Sequence, residues 1–292
     1  MIWTTANTFY SDGTNLARVS ETSVSNHEDA PLPLTGERTV PGIPEENYWF
    51  RRHEVVYRAL LERCTDRRVL EAGSGEGYGA NMIADVATKV TGLDYDISAV
   101  EHVRARYPRV EMLHGNLAEL PLADNSVDVV VNFQVIEHLW DQGQFLRECF
   151  RVLAPGGELL ISTPNRITFS PGRDTPLNPF HTRELNASEM TELLEDAGFR
   201  VQLMTGVHHG SRLKELDAKH GGSFINAQID RALAGEPWPE DLTRDVEGIT
   251  VDDFSISEPD IDDSLDLVAI AVKDTAVKDI AVKDAAVKET GE

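Results

Sequence analysis

The chain has 292 residues, 41% of them hydrophobic and 26% charged, an ordinary balance for a folded domain able to bury a sizeable core. Its net charge is not ordinary, because 27 Lys and Arg face 50 Asp and Glu, giving −23. With no basic stripe to neutralise phosphates, that excess argues against nucleic acid and anionic membranes as partners. Cys64 and Cys149 fall in helix-like patterns and read as buried apolar side chains rather than a disulfide. No basic-then-apolar leader opens the chain, and no apolar run reaches about 18 residues, so a cytoplasmic protein without a membrane span is expected.

Residues 1–34 are rich in Thr, Ser, Asn and Asp without periodicity and read as a flexible arm. A turn-rich lead-in follows, with Gly36, Pro41, Gly42 and Pro44, and a helix is predicted from Glu45 to just before Asp66. Strand and helix then alternate. Strands are predicted at 69–72, 89–93, 110–113, 127–135 and 158–163, with helices near 79–86, 97–106 and 141–153. Asn186 with Glu189 three positions later has the form of a capping box and starts a helix that Gly198 ends, leading to a strand at 200–205. The last strand is predicted at 265–272. Such alternation builds a parallel sheet covered on both faces.

Between those last two strands lies an insertion at about 208–262, and the stretch 236–266 carries 12 acidic residues against one basic, Arg244. A charge block of this kind reads as a solvated, mobile surface, with cover over a substrate cleft as the alternative. His208 and His209, at its start, read as surface histidines. The tail repeats Ala-Val-Lys-Asp at 271, 276 and 281 and Ala-Val-Lys-Glu at 286. A five-residue step builds no continuous apolar face on a helix or a strand, so 274–292 is expected to be disordered.

The run Val69-Leu70-Glu71-Ala72-Gly73-Ser74-Gly75-Glu76-Gly77-Tyr78-Gly79-Ala80 turns a strand into a helix through alternate glycines, the usual nucleotide corner of a doubly wound sheet. Gly75, Gly77 and Ala80 satisfy the dinucleotide pattern G-x-G-x-x-A, and Asp94 at the end of the second strand suits a ribose in either reading. Glu71-x-Gly73-x-Gly75-x-Gly77, however, resembles motif I of the class I S-adenosylmethionine-dependent methyltransferases. Leu120-Pro121-Leu122-Ala123-Asp124-Asn125-Ser126-Val127-Asp128, Glu137-His138-Leu139 and Arg151-Val152-Leu153-Ala154-Pro155-Gly156-Gly157 continue that resemblance, which spans about 66–205.

The resemblance implies a Rossmann-like α/β fold with a mostly parallel seven-stranded sheet, its last strand antiparallel, and a methyltransferase domain at 66–273. It implies that Gly73, Gly75 and Gly77 let the backbone approach the cofactor's methionine portion, while Glu71 anchors the loop or holds water near the ammonium. Asp94 would bind the ribose, and Tyr95 would lie along the adenine. Asn116, with Leu117 beside it, stands where many members place an acid on the adenine amino group, and Gln134 borders the methyl-transfer position. The segment 35–53 is similar to bacterial methyltransferases in which this stretch lies over the cofactor. There Tyr48 would close a lid, and Arg52 or His53 would pair the methionine carboxylate. The pattern looks most like actinobacterial enzymes associated with polymethylated polysaccharides such as methylglucose lipopolysaccharide, which implies O-methylation of a saccharide hydroxyl.

A hydroxyl acceptor calls for a base or a metal. His138, after the fourth strand, is the first candidate base, and His181, in the loop after the fifth, is the second candidate or an acceptor contact. Glu137, Asp174 and His181 carry donors for Mg²⁺, without a spacing that selects it. Three readings stand at this point: a saccharide O-methyltransferase, a methyltransferase of a lipid-like or aromatic small molecule of the quinone type, and a non-catalytic S-adenosylmethionine-binding module. Nothing in the sequence sets an oligomeric state.

Overall fold

A computed structural model of the chain describes residues 38–274. The expected flexible arm at 1–34 and the repeat tail after Asp274 lie outside the described residues. The helix predicted from Glu45 is a 3₁₀ turn, Pro44–Glu46, continuing as α1 (Asn47–Leu60) and a second 3₁₀ turn, Leu61–Cys64. There follow β1 (Arg68–Ala72), α2 (Tyr78–Ile83), β2 (Lys89–Asp94), α3 (Ile97–Arg106), β3 (Val110–His114), β4 (Val127–Phe133), α4 (Gln142–Val152), β5 (Leu153–Pro164) and the short α5 (Arg166–Phe169). The chain continues through α6 (Ala187–Asp196), β6 (Phe199–His209), α7 (Ser211–Lys219), α8 (Phe224–Ala234), α9 (Glu240–Glu247), β7 (Phe254–Ser257) and β8 (Asp266–Lys273). The Asn186–Glu189 capping box forms as read, each side chain bonding the other residue's backbone N–H.

The eight strands lie in the order β3-β2-β1-β4-β5-β8-β6-β7. Strands β1 to β5 pair in parallel with one another, while β8 is antiparallel to both β5 and β6. The expected seven-stranded sheet with an antiparallel last strand is therefore present, extended by one edge strand. That strand is β7, antiparallel to β6, and it comes from the insertion. With only Phe254-Ser-Ile-Ser257 of alternating pattern inside an acidic stretch, it carries too weak a signal to be read in advance.

Side chains alternate across the sheet. Val69, Val129, Val131, Leu160, Val268 and Ile270 pack into the core shared with α1, α2, α3 and the insertion. Their neighbours Leu70, Val130, Leu159, Ile161, Leu267 and Ala269 pack into the other core, with α4 and α6. This is the two-face burial that parallel strands require. Cys64 and Cys149 are buried free thiols.

The insertion is ordered and corrects the expectation of a mobile surface. Leu213, Phe224, Leu242, Val246, Ile249 and Phe254 are buried against the α1 face, and none of its residues reaches the cavity described below. His209, expected at the surface, is mostly buried and joins Tyr48 to Asp217 through its two ring nitrogens, at 2.7 and 2.9 Å. Among the described residues no helix is long and apolar enough to cross a membrane.

Candidate active site

The carboxyl ends of β1, β2 and β4 open onto a cavity of about 1060 Å³, the position where doubly wound sheets bind ligands. Its donor end is the glycine turn. Gly73 and Ser74 donate their backbone N–H groups to the Leu93 carbonyl at 2.8 and 3.1 Å, and the buried Asn132 amide donates to the Ala72 carbonyl at 2.8 Å. The turn is thereby fixed before any ligand arrives.

Three glycines of the run, Gly75, Gly77 and Gly79, do different work. At Gly75, φ is +54° and an added Cβ would meet nothing nearer than Arg38 Cβ at 4.0 Å, so bare backbone faces the cavity. At Gly79 a Cβ would stand 2.3 Å from the Tyr57 ring, and at Gly77 2.5 Å from Val103. Those two glycines serve helix packing, and the expectation that Gly77 contacts the ligand is corrected, because Gly77 does not line the cavity.

Asp94 ties the two loops together, accepting the Gly75 N–H at 2.8 Å and the Asp96 N–H at 2.9 Å, one on each carboxylate oxygen. Each oxygen keeps a lone pair for a ligand hydroxyl. Tyr95, 67% exposed, and the buried Leu117 stand on the adjoining wall. Asn116 Oδ1 already accepts the Ala118 N–H at 2.9 Å, so its remaining lone pair is what it offers a ligand amino group. Gln134 holds φ at +58°, a left-handed conformation costly for a side chain of this kind, with its N–H on the Ser162 carbonyl at 2.9 Å.

Glu71 lies beneath the turn, outside the lining. Its Oε1 accepts the Tyr57 hydroxyl at 2.8 Å, and its buried Oε2 has no hydrogen-bond partner among the described residues. Burial pushes its pKa up to about 7, against the pull of the bond from Tyr57. Open backbone at Gly75, acceptor oxygens on Asp94 and a carboxylate under the turn suit a cationic nucleoside. The donor end therefore fits S-adenosylmethionine on chemical grounds.

The lead-in departs from expectation. Tyr48 is fully buried, its ring against Trp49, Phe224 and Phe254, so it is a core side chain and not a lid. Arg52 points away from the cavity and makes a two-pronged ion pair with Asp266, both bonds 2.6 Å, so it is not available to a ligand carboxylate. His53 does line the cavity, but burial, helped by Arg52, pushes its pKa down to about 3. It is neutral near pH 7 and can supply a hydrogen bond, not a charge. Arg38 also lines the cavity, its guanidinium paired with Asp96.

The acceptor end is built from the 3₁₀ turn Ile136–His138 and the loop before α6. The Glu137 carbonyl receives the Thr182 N–H at 2.7 Å, which pins that loop to the turn. His138 Nδ1 lies 3.0 Å from the Phe180 carbonyl. A carbonyl only accepts, so Nδ1 donates in this bond and Nε2 is the ring's other nitrogen. His181 is held at both nitrogens. Asn178 Oδ1 accepts the Phe180 N–H at 2.9 Å, which turns the Asn178 amide nitrogen toward His181 Nε2 at 3.0 Å. His181 Nδ1 then donates to Glu184 at 2.7 Å. The expectation of His181 as base is corrected accordingly, because its Nε2 lone pair is already in use.

Glu137 Oε2 accepts the Thr163 hydroxyl at 2.9 Å, and burial raises its pKa to about 7. Asp174 is exposed and stands apart from this cluster. Sequence reading missed the cavity's aromatic members, Tyr57, Tyr78 and Phe133 inside and Trp140 and Phe180 toward the mouth. Trp140 is 93% exposed, an unusual setting for its ring, and its place beside the Glu-His pair was the available signal.

Comparison with known proteins agrees with this geometry. Residues 70–161 match the family model described as "Methyltransferase domain". A Mycolicibacterium smegmatis protein named "Probable S-adenosylmethionine-dependent methyltransferase" is 72% identical over 245 residues, covering 83% of this chain and 95% of its own length. A Mycobacterium tuberculosis protein of the same description is 65% identical over 255 residues, covering 86% of this chain and 93% of that one. Among solved structures, a chain from the complex of the Haloferax volcanii Trm112 methyltransferase activator with a methyltransferase superposes with a TM-score of 0.54 at 18% identity, over 76% of this chain and 91% of that one. That likeness speaks for the fold. A sheet that ends in a clamped glycine turn, with relatives matched over nearly their whole length, leads to one assignment: the chain belongs to the class I S-adenosylmethionine-dependent methyltransferases.

Proposed function

We propose that this methyltransferase O-methylates a saccharide hydroxyl, with His138 as the general base. The observation that carries the reading is the tautomer of His138. Its Nδ1–H is committed to the Phe180 carbonyl at 3.0 Å, so its basic nitrogen is Nε2, an atom shielded from solvent on a side chain that lines the cavity. The bound cofactor supplies an electrophilic methyl group on a sulfonium that is itself a good leaving group. What the chain must add is alignment and removal of the acceptor proton.

Gly75 and Asp94 hold the donor end, and Gln134, fixed in its strained turn, forms the wall between donor and acceptor. The Thr182–Glu137 bond keeps the acceptor loop in register with His138. As the hydroxyl oxygen takes the methyl group, its proton passes to His138 Nε2, and the Phe180 carbonyl keeps the ring oriented.

Trp140 and Phe180 offer flat apolar faces near the mouth, and the Asp141 carboxylate beside them is a hydrogen-bond acceptor, a combination suited to the C–H faces and hydroxyls of a sugar. The apolar wall of Leu117, Val135, Leu139 and Phe145 favours a second reading, an aromatic or lipid-like acceptor of the quinone type. Transfer of labelled methyl to a panel of oligosaccharides, quinols and fatty acids separates the two. Label in oligosaccharide supports the first, and label in quinol or lipid alone replaces it with the second.

A further inference from the structure

The acceptor end carries donors beyond what proton abstraction needs. The rings of His138 and His181 meet edge to face with centroids 4.9 Å apart. One donor atom from each of Glu137, His138 and His181 lies within 4.8 Å of the other two. Both imidazoles are tied by Nδ1, His138 to the Phe180 carbonyl and His181 to the Glu184 carboxylate. A ring whose Nδ1–H is held by a carbonyl or carboxylate presents Nε2 in a fixed direction, the outer-shell arrangement that orients metal-binding histidines.

The second, independent observation is Glu137. Its Oε2 takes the Thr163 hydroxyl, but Oε1, on a side chain wholly shielded from solvent, has no hydrogen-bond partner among the described residues. A buried carboxylate oxygen left without a donor is costly, and a cation beside it would remove that cost.

We propose that Glu137, His138 and His181 bind a divalent transition-metal ion of the Zn²⁺ or Co²⁺ class. Two imidazoles and one carboxylate suit such an ion. Mg²⁺ favours oxygen ligands and its own waters, so the donor set speaks against it here. One adjustment is required. Asn178 now donates to His181 Nε2 at 3.0 Å, and this hydrogen bond gives way to a metal–nitrogen bond as the ion enters. The inference rests on the preceding reading in one respect. Ligation takes the Nε2 lone pair of His138, so an ion at this site and base catalysis by His138 exclude each other, and a bound ion inhibits transfer.

The experiment is titration calorimetry of the full-length, metal-free protein with ZnCl₂ and, separately, with MgCl₂, backed by the visible spectrum of the Co²⁺-loaded protein. One Zn²⁺ site is expected, with no Mg²⁺ binding at the same concentrations. Affinity falls at least tenfold in Glu137→Gln and in His181→Ala, and Asn178→Ala, which removes the competing donor, tightens it. Because His181→Ala removes a buried side chain, His138→Gln serves as the second variant, with S-adenosylmethionine affinity as the measure of a folded cavity. Equal Zn²⁺ affinity in wild type, Glu137→Gln and His138→Gln overturns the site. Zn²⁺ binding that accelerates methyl transfer upholds the site and removes the base assignment. Absence of Zn²⁺ binding, with transfer still slowed in His138→Ala, removes the site and leaves the base assignment standing.

Discussion

Substituting Glu71 by Gln tests whether the carboxylate beneath the glycine turn is held against its own burial. Tyr57 donates to Oε1 at 2.8 Å, an acceptor that Gln retains, while Oε2 has no partner among the described residues. Burial moves the carboxyl from its ordinary value of 4.5 up to about 7 in the folded chain. The folded protein therefore holds this proton more tightly than the unfolded chain does. Stability from this group is fully present below about pH 4.5 and is lost as pH rises through about 7. At about 1.4 kcal/mol per pH unit, the gap corresponds to about 3 kcal/mol.

Gln does not titrate, so that loss is absent from the variant. A buried amide N–H₂ in the place of Oε2 adds a cost of about 1–3 kcal/mol that does not vary with pH. The quantity to measure is thus the difference in unfolding free energy between Glu71→Gln and wild type, by urea titration from pH 4.5 to pH 8. We expect it to move by about 3 kcal/mol in favour of the variant across that window. Saturating S-adenosylmethionine should flatten the change, because a nearby cation favours the ionised carboxyl. A difference independent of pH, or one moving in favour of wild type as pH rises, would refute the account of this residue.

Other substitutions address packing, pairing and chemistry. Gly79→Ala drives a Cβ to within 2.3 Å of the Tyr57 ring. It should lower stability by about 1–3 kcal/mol in chemical denaturation and weaken the Tyr57–Glu71 bond with it. Arg52→Met leaves the buried Asp266 carboxylate without its cation and should cost about 3–5 kcal/mol by the same assay. His138→Ala should reduce kcat by about 10²–10⁴-fold, with S-adenosylmethionine affinity by calorimetry within about threefold of wild type. Unchanged turnover in that variant would remove His138 from the chemistry.

The fold was legible wherever period and punctuation agreed. The strand–glycine–helix corner, the alternating elements to Pro164 and the Asn186–Glu189 cap all stand in the structure as local signals announced them, because each is decided by neighbours in sequence. The placement of Gly75 and Asp94 on the cavity was legible for the same reason, since both follow directly from two strand ends.

What stayed hidden depended on contacts across the chain. Asp266 is one of a dozen acids in its stretch, and only its position opposite Arg52, more than 200 residues earlier, separates it from the solvated ones. A separate long-range bond, between the Tyr48 hydroxyl and His209, holds those two side chains together away from the surface. His181 looked like a base by loop position alone. Its roles were settled by Asn178 and Glu184, each three residues away, whose side-chain directions no spacing rule supplies.

The central claim concerns the acceptor, and methyl transfer from labelled S-adenosylmethionine tests it most directly. Wild-type protein should place label on an oligosaccharide hydroxyl, and His138→Ala should slow that transfer by about 10²–10⁴-fold while still binding the cofactor. Label found only in quinol or lipid, or oligosaccharide labelling undiminished by loss of His138, would contradict it.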